Sequence, residues 1–172
     1  MASRRELLID AYNVMFADPR IGPLVRQDRE RARDAFIALV SQNRPADATR
    51  VVVVFDAHRE PGGPVAPGRQ GRAYQSGVHV VFAHETADAW IQRRIREHAD
   101  PTHLTVVTSD REILATVRAH GAHVLRVAEF LQLHARRRAR AREIQERDKP
   151  EHLSRRELEE WERLFEAPRD EE

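Results

Sequence analysis

Three aspartates stand where apolar runs end: Leu7-Leu8-Ile9 runs into Asp10, Val51 to Phe55 runs into Asp56, and Leu104 to Val107 leads through Thr108 and Ser109 to Asp110. Asn13 follows the first of them closely, and Glu85 and Asp88 stand three residues apart, a spacing that can share one face of a helical first turn. If the runs are parallel strands, all these groups emerge at one sheet edge, where open α/β sheets bind their ligands. Carboxylates gathered in one crevice repel, so either some keep protons or a cation sits among them. Oxygen donors without cysteine suit a hard ion, Mg²⁺ or Mn²⁺. Such an ion activates water and stabilises the charge that develops in displacement at a phosphodiester.

The elements that must position these residues follow from periodicity. The three runs lack alternation, as strands buried on both faces do. After Asn13 a loop carries Pro19, Gly22 and Pro23, and Ala32, Phe36, Leu39 and Val40 then predict a helix over roughly 26–41. The stretch 57–77 combines glycine, proline and arginine without periodicity, and reads as a long loop beside Asp56 in which Arg59, Arg69 and Arg72 can reach phosphates. Val78 to Phe82 is a further strand, residues 86–99 a helix with Ala89, Trp90, Ile91 and Ile95 on its buried side, and 124–127 a fifth strand. Ser109 to Glu112 has the form of a capping box, and Gly121 closes the helix it opens. Strands alternating with helices predict an open, mainly parallel sheet covered on both faces.

The remainder differs in character. Residues 129–149 predict a helix that begins apolar and becomes basic through Arg136, Arg137, Arg138, Arg140 and Arg142, and after Pro150 a last helix carries Leu158, Trp161, Leu164 and Phe165 as a stripe. The expected division is therefore a domain over 1–128 and a helical extension over 129–172 that packs on the domain or on a partner. In all, 29 basic residues nearly balance 28 acidic ones, so net charge favours no class of partner. The bases are almost all arginine, the better fork for phosphate. No apolar stretch approaches the ~18 residues of a membrane helix, and a soluble, cytoplasmic protein is expected.

Blander readings compete with each of these residues. Asp88 and Asp110 fall in helix first turns, where the dipole alone favours acids; Asn13 can shape a turn; Asp56 can serve a loop; the arginines can form a solvated face matched by Glu143 and Glu146. The spacing of Gly63 to Gly68 imitates a P-loop, but Arg69-Gln70 replaces the required Lys-Ser/Thr pair. Nine histidines include no zinc-binding H-E-x-x-H pattern.

The opening Leu-Leu-Ile-Asp-Ala-Tyr-Asn-Val resembles the Asp-Gly-Tyr-Asn signature of the YacP-like NYN domain proteins, a bacterial branch of the PIN-like nucleases. The segments 53–57, 85–88, 107–112 and 161–165 match that family in order. The resemblance implies a PIN-like three-layer α/β/α fold with a mainly parallel five-stranded sheet and metal-dependent cleavage of RNA. It maps Asp10, Asp88 and Asp110 as core acids and metal ligands, with Asn13, Asp56 and Glu85 supporting. Arg111 and the arginines of 59–72 and 136–140 become candidate RNA contacts. One departure is Ala11, where the family usually carries glycine; a positive φ there would strain an alanine. An RNA-binding module with a vestigial acidic pocket and a metal-dependent phosphatase are the alternatives. A ribosome or another RNA–protein assembly as presenter of the RNA, and the oligomeric state, are not encoded in these motifs.

Overall fold

A computed structural model describes residues 5–42, 44, 48, 50–56, 72–73 (backbone alone) and 77–147. The chain divides into two compact units, Met1–Arg136 and Arg137–Glu172. The first is built on a six-stranded sheet of order β3-β4-β2-β1-β5-β6. Its strands are β1 (Glu6–Asp10), β2 (Arg50–Asp56), β3 (Arg72–Ala73), β4 (Val78–Ala83), β5 (Leu104–Val107) and β6 (His123–Leu125). All neighbours pair in parallel except the two-residue β3, which runs antiparallel along β4. The five expected strands are thus present. The sixth, β3, falls inside the stretch read as a loop, because two residues are too few to register as a pattern.

Pleat alternation divides the core into two layers. Leu7 and Ile9, with Val51, Val53, Phe55, Val78, Val80 and Val107, face α1 (Ala11–Ala17), α2 (Ile21–Gln27), α3 (Arg29–Gln42) and Val127 and Phe130 at the start of α6 (Val127–Arg147). Leu8, Val52, Val54, Leu104 and Val106 face α4 (Ala87–Arg96) and α5 (Arg111–Ala119). Every residue of β1 is buried, which is why its sequence shows a continuous run. The chain lays β2 and β4 on one flank of β1 and then crosses back to place β5 and β6 on the other, so the strand order reverses beside β1.

Several boundaries differ from the sequence reading for identifiable reasons. Helix begins at Ala11, directly after β1, and Asp10 caps it, so the expected loop after Asn13 is largely α1 and α2. Ala11 is therefore fully buried in right-handed helix, and among the described residues no non-glycine φ is positive, so its methyl carries no strain. The single helix expected over 26–41 is broken at extended Asp28, whose Oδ1 accepts the Arg31 amide at 3.0 Å. Ala89 proves exposed, leaving Ile91 and Ile95 as the buried stripe of α4 with Trp90 half-buried beside it. Gly121 ends α5 with φ of 72°, as a left-handed cap. The fifth strand stops at Leu125, and Val127 already belongs to α6. The stripe at 158–165 lies outside the described residues.

At the amino end of β1 the buried carboxylate of Glu6 is matched. Arg94 donates to it from Nε at 3.2 Å and from a terminal nitrogen at 2.8 Å, and His98 stands 3.8 Å away. Removing the cation should hurt more than removing both groups, because it strands a buried charge. Arg94→Ala is expected to lower stability in urea denaturation by about 2 kcal/mol, below the roughly 3–5 kcal/mol of a fully buried pair because Arg94 is partly exposed. The double variant Glu6→Gln, Arg94→Ala should recover part of that loss.

Candidate active site

Strand register decides which acids meet. Ile9 lies level with Val107, so Asp10 lies level with Thr108, and both point to the layer that holds Leu8 and Val106. That is the layer of α4 and α5, whose first turns carry Asp88 and follow Asp110. The amino ends of these helices, with their positive dipole ends, therefore open at the same edge.

Asp10 is only 5% exposed. Its Oδ1 accepts the Asn13 amide at 3.3 Å and its Oδ2 accepts the Thr108 hydroxyl at 3.1 Å. The same Thr108 Oγ1 accepts the Asp110 amide at 3.0 Å, and Asn13 Oδ1 accepts the Ser109 amide at 3.0 Å. These bonds knit the end of β1 to the turn after β5. Burial raises the Asp10 pKa from 3.8 to about 6; the Asn13 and Thr108 hydrogen bonds oppose the rise, and the Asp88 and Asp110 charges add to it. Two further carboxylates thus act on Asp10 at the point where the strand order reverses. Two hydrogen bonds leave each Asp10 oxygen with further acceptor capacity. Among the described residues, no three Asp, Glu or His side chains form a ready-made metal cage.

The other expected members are placed differently. Asp10 is in register with Val54, so Asp56 lies two residues farther along its strand, about 7 Å beyond. It is half-buried and is not among the charges that act on Asp10. Glu85 is ion-paired with Arg93. The cap of α5 is Asp110 and not Ser109: Asp110 Oδ1 accepts the Glu112 and Ile113 amides at 2.8 and 3.1 Å. Asp110 thus caps α5 through one oxygen while its charge reaches Asp10. Arg111 is exposed beside it, and Arg136, Arg137 and Arg140 are exposed on α6. Arg59 and Arg69 lie outside the described residues, and Arg72 is described by its backbone alone.

Sequence reasoning missed Thr108 as a site residue. A hydroxyl one step past an apolar strand and two before an acid was the available signal. Asp18 supplies a contrast, since it is equally buried but its Oδ1 accepts the Arg20 and Ile21 amides at 2.8 and 3.2 Å in a turn.

A PIN-like α/β sheet with interacting carboxylates at its switch point defines the class. The chain belongs to the YacP-like NYN domain family, whose model matches residues 7–166. That family lies among the PIN-like nucleases, which in general act on RNA. The chain is 30% identical over 143 residues to the uncharacterized protein YacP of Bacillus subtilis (strain 168), covering 78% of this chain and 81% of the relative. It resembles the crystal structure of Rae1 (YacP) from Bacillus subtilis with a TM-score of 0.61 and 28% identity, over 95% of this chain and 98% of that one. A tryptophan-to-leucine mutant of the same protein matches with a TM-score of 0.63 and 28% identity over 90% of each chain.

A carboxyl whose folded pKa is raised contributes stability that is complete below its unfolded value and is lost as pH climbs. For Asp10 the loss runs between pH 3.8 and about 6. In EDTA at pH 8, Asp10→Asn should therefore raise stability by up to about 3 kcal/mol. The gain should fade near pH 4. Chemical denaturation across that range checks it, and a loss of stability at pH 8 would mean that the carboxylate is structural.

Proposed function

We propose that this protein is an endoribonuclease dependent on Mg²⁺ or Mn²⁺. The observation that carries the proposal is the raised Asp10 carboxyl, buried at a strand end and held up by two further acids. A divalent cation would relieve that repulsion, and an oxygen-only donor set with spare acceptor positions fits a hard ion. Asp10, Asp88 and Asp110 would hold it, and when bound it supplies an activated water and stabilises charge on the phosphodiester.

The chain's own residues perform the remaining work. Thr108 fixes the Asp10 carboxylate and the Asp110 amide through one hydroxyl, which limits the rotation of both acids. Asn13 ties α1 to the turn after β5, so the two sides of the cleft keep their spacing. Asp56 and Glu85 would be supporting members outside this trio. Exposed Arg111, next to Asp110 in the chain, would contact a phosphate approaching it. Arg136, Arg137 and Arg140, with Arg59, Arg69 and Arg72, would supply phosphate contacts. The protein would work in the cytoplasm on RNA, with a ribosome or another RNA–protein assembly as a candidate presenter. No described helix is long and apolar enough to cross a membrane.

Incubation with mixed RNA in Mn²⁺, in Mg²⁺ and in EDTA is the primary test. Cleavage is expected only with metal, and Asp10→Asn, Asp88→Asn and Asp110→Asn should each reduce it by at least about a thousandfold while retaining the fold by circular dichroism. Wild-type rates in the three variants would refute the proposal. Binding without cleavage under every metal condition would favour the RNA-binding module. Replacing Arg136, Arg137 and Arg140 by alanine should lower the salt slope of single-strand binding by about 2, at about 0.7 per phosphate contact. Fluorescence anisotropy at increasing salt measures that slope, and an unaltered value would make these arginines a solvated face.

A further inference from the structure

Helix α1 leaves one stripe of its surface open. Ala11, Tyr12, Val14 and Met15 are buried, whereas Asn13 is half-buried and Phe16 is 49% exposed. Among the described residues Phe16 is the only exposed aromatic. Asn13 and Phe16 stand three apart, so their Cβ atoms lie about 5–6 Å from one another on one helix face. Asn13 already reaches the acid cleft, since its Oδ1 accepts the Ser109 amide beside Asp110 at 3.0 Å. Phe16 is thus the next surface group along α1 from that cleft.

The ring is also backed from within. Its centroid lies 6.1 Å from that of Tyr12, and Tyr12 packs edge-on against Phe55, which stacks on Phe82. Phe55 and Phe82 pair with each other just before the ends of β2 and β4, so this aromatic row follows the carboxyl edge of the sheet, the edge of Asp10. Arg33 stands 5.4 Å over the Phe82 ring, which sets the first turns of α3 at that same edge. There Phe16 and Val25 form the apolar part of an open cleft of about 520 Å³, with Arg26, Asp28, Arg29 and Glu30 around it. The acids are engaged: Asp28 accepts the Arg31 amide, and Glu30 stands 3.9 Å from Arg33. Arg26 is exposed at the rim.

We infer that Phe16 is a stacking platform for an unpaired nucleobase of the RNA strand beside the scissile phosphate, with an adjoining phosphate at Arg26. This rests on the nuclease reading and extends it to the path of the strand. A ring seated against Tyr12 is held in orientation while half of it stays open, and stacking on such a ring accepts any base. A guanidinium beside it suits a phosphate. Continuity favours a strand over a protein partner, because the Asn13 stripe leads directly from the acids to the ring. A lone exposed ring among charges is also smaller than the apolar patches that mark protein interfaces.

The test uses the full chain with an unstructured RNA oligonucleotide carrying 5-iodouridine at successive positions, in EDTA so that nothing is cleaved. Irradiation should cross-link Phe16 at one position or its neighbour, as identified by mass spectrometry of the digest. Phe16→Leu, which keeps an apolar side chain but removes the ring, should abolish that cross-link and weaken binding roughly tenfold. Phe16→Tyr should retain both, and thermal melts check that each variant folds. Arg26→Ala should lower the salt slope of binding by about 0.7. Unchanged affinity in Phe16→Leu, or cross-links that bypass Phe16 at every position, would overturn the platform while leaving metal-dependent cleavage standing. A Phe16 cross-link in a protein that cleaves no RNA with any metal would keep the platform and refute the nuclease. Sedimentation that shifts with Phe16→Leu in the absence of RNA would assign the ring to a contact between copies and overturn the platform.

Discussion

An aspartate at the end of a fully buried strand is costly to ionise, and the arrangement of the rest of the unit follows from how that cost is handled. Asp10 cannot be solvated by water as a surface acid is, so the Asn13 amide and the Thr108 hydroxyl stand in for part of its hydration shell. Those two groups come from opposite sides of a cleft, one from the helix that follows β1 and the other from the turn that follows β5. Their convergence requires parallel pairing of β1 and β5 in one particular register. A slip by one residue would turn Asp10 into the opposite layer, against α1 to α3. The strand that looks like ordinary core is therefore the element that sets the chemistry.

Buried acids elsewhere in the fold show what a purely structural solution looks like. Glu6 at the other end of the same strand is gripped by an arginine fork, and Asp18 accepts two amides in a turn. Asp10 faces Asp88 and Asp110 instead, so the fold holds together groups that repel. Placing them at the amino ends of α4 and α5 moderates the repulsion through the helix dipoles. It does not abolish it, since the charges of Asp88 and Asp110 still add to the rise of the Asp10 pKa.

Helix α4 joins these themes. Its first turn brings Asp88 to the cleft, its inner face packs Ile91 and Ile95 on the sheet, and its outer flank offers Trp90 with arginines around it.

Local pattern alone determined much of this protein. The continuous apolar runs identified β1, β2 and β5, because burial on both faces leaves a signature in composition that needs no partner to be recognised, and shorter apolar stretches marked β4 and β6. The ends of those runs marked Asp10 and Asp110, and the helical spacing of Ile91 and Ile95 placed Asp88 in the first turn of its helix. Only the tertiary structure decided which acids act together. Register puts Asp10 level with Thr108 but two residues short of Asp56, and an ion pair with Arg93 engages Glu85. It also decided that Asp110, not Ser109, caps α5, and that Thr108 bridges the two acids. Such facts depend on which residues of different strands come to lie opposite one another. That is fixed by hydrogen bonds across the sheet and by packing between layers, and no periodicity within a single segment can carry it.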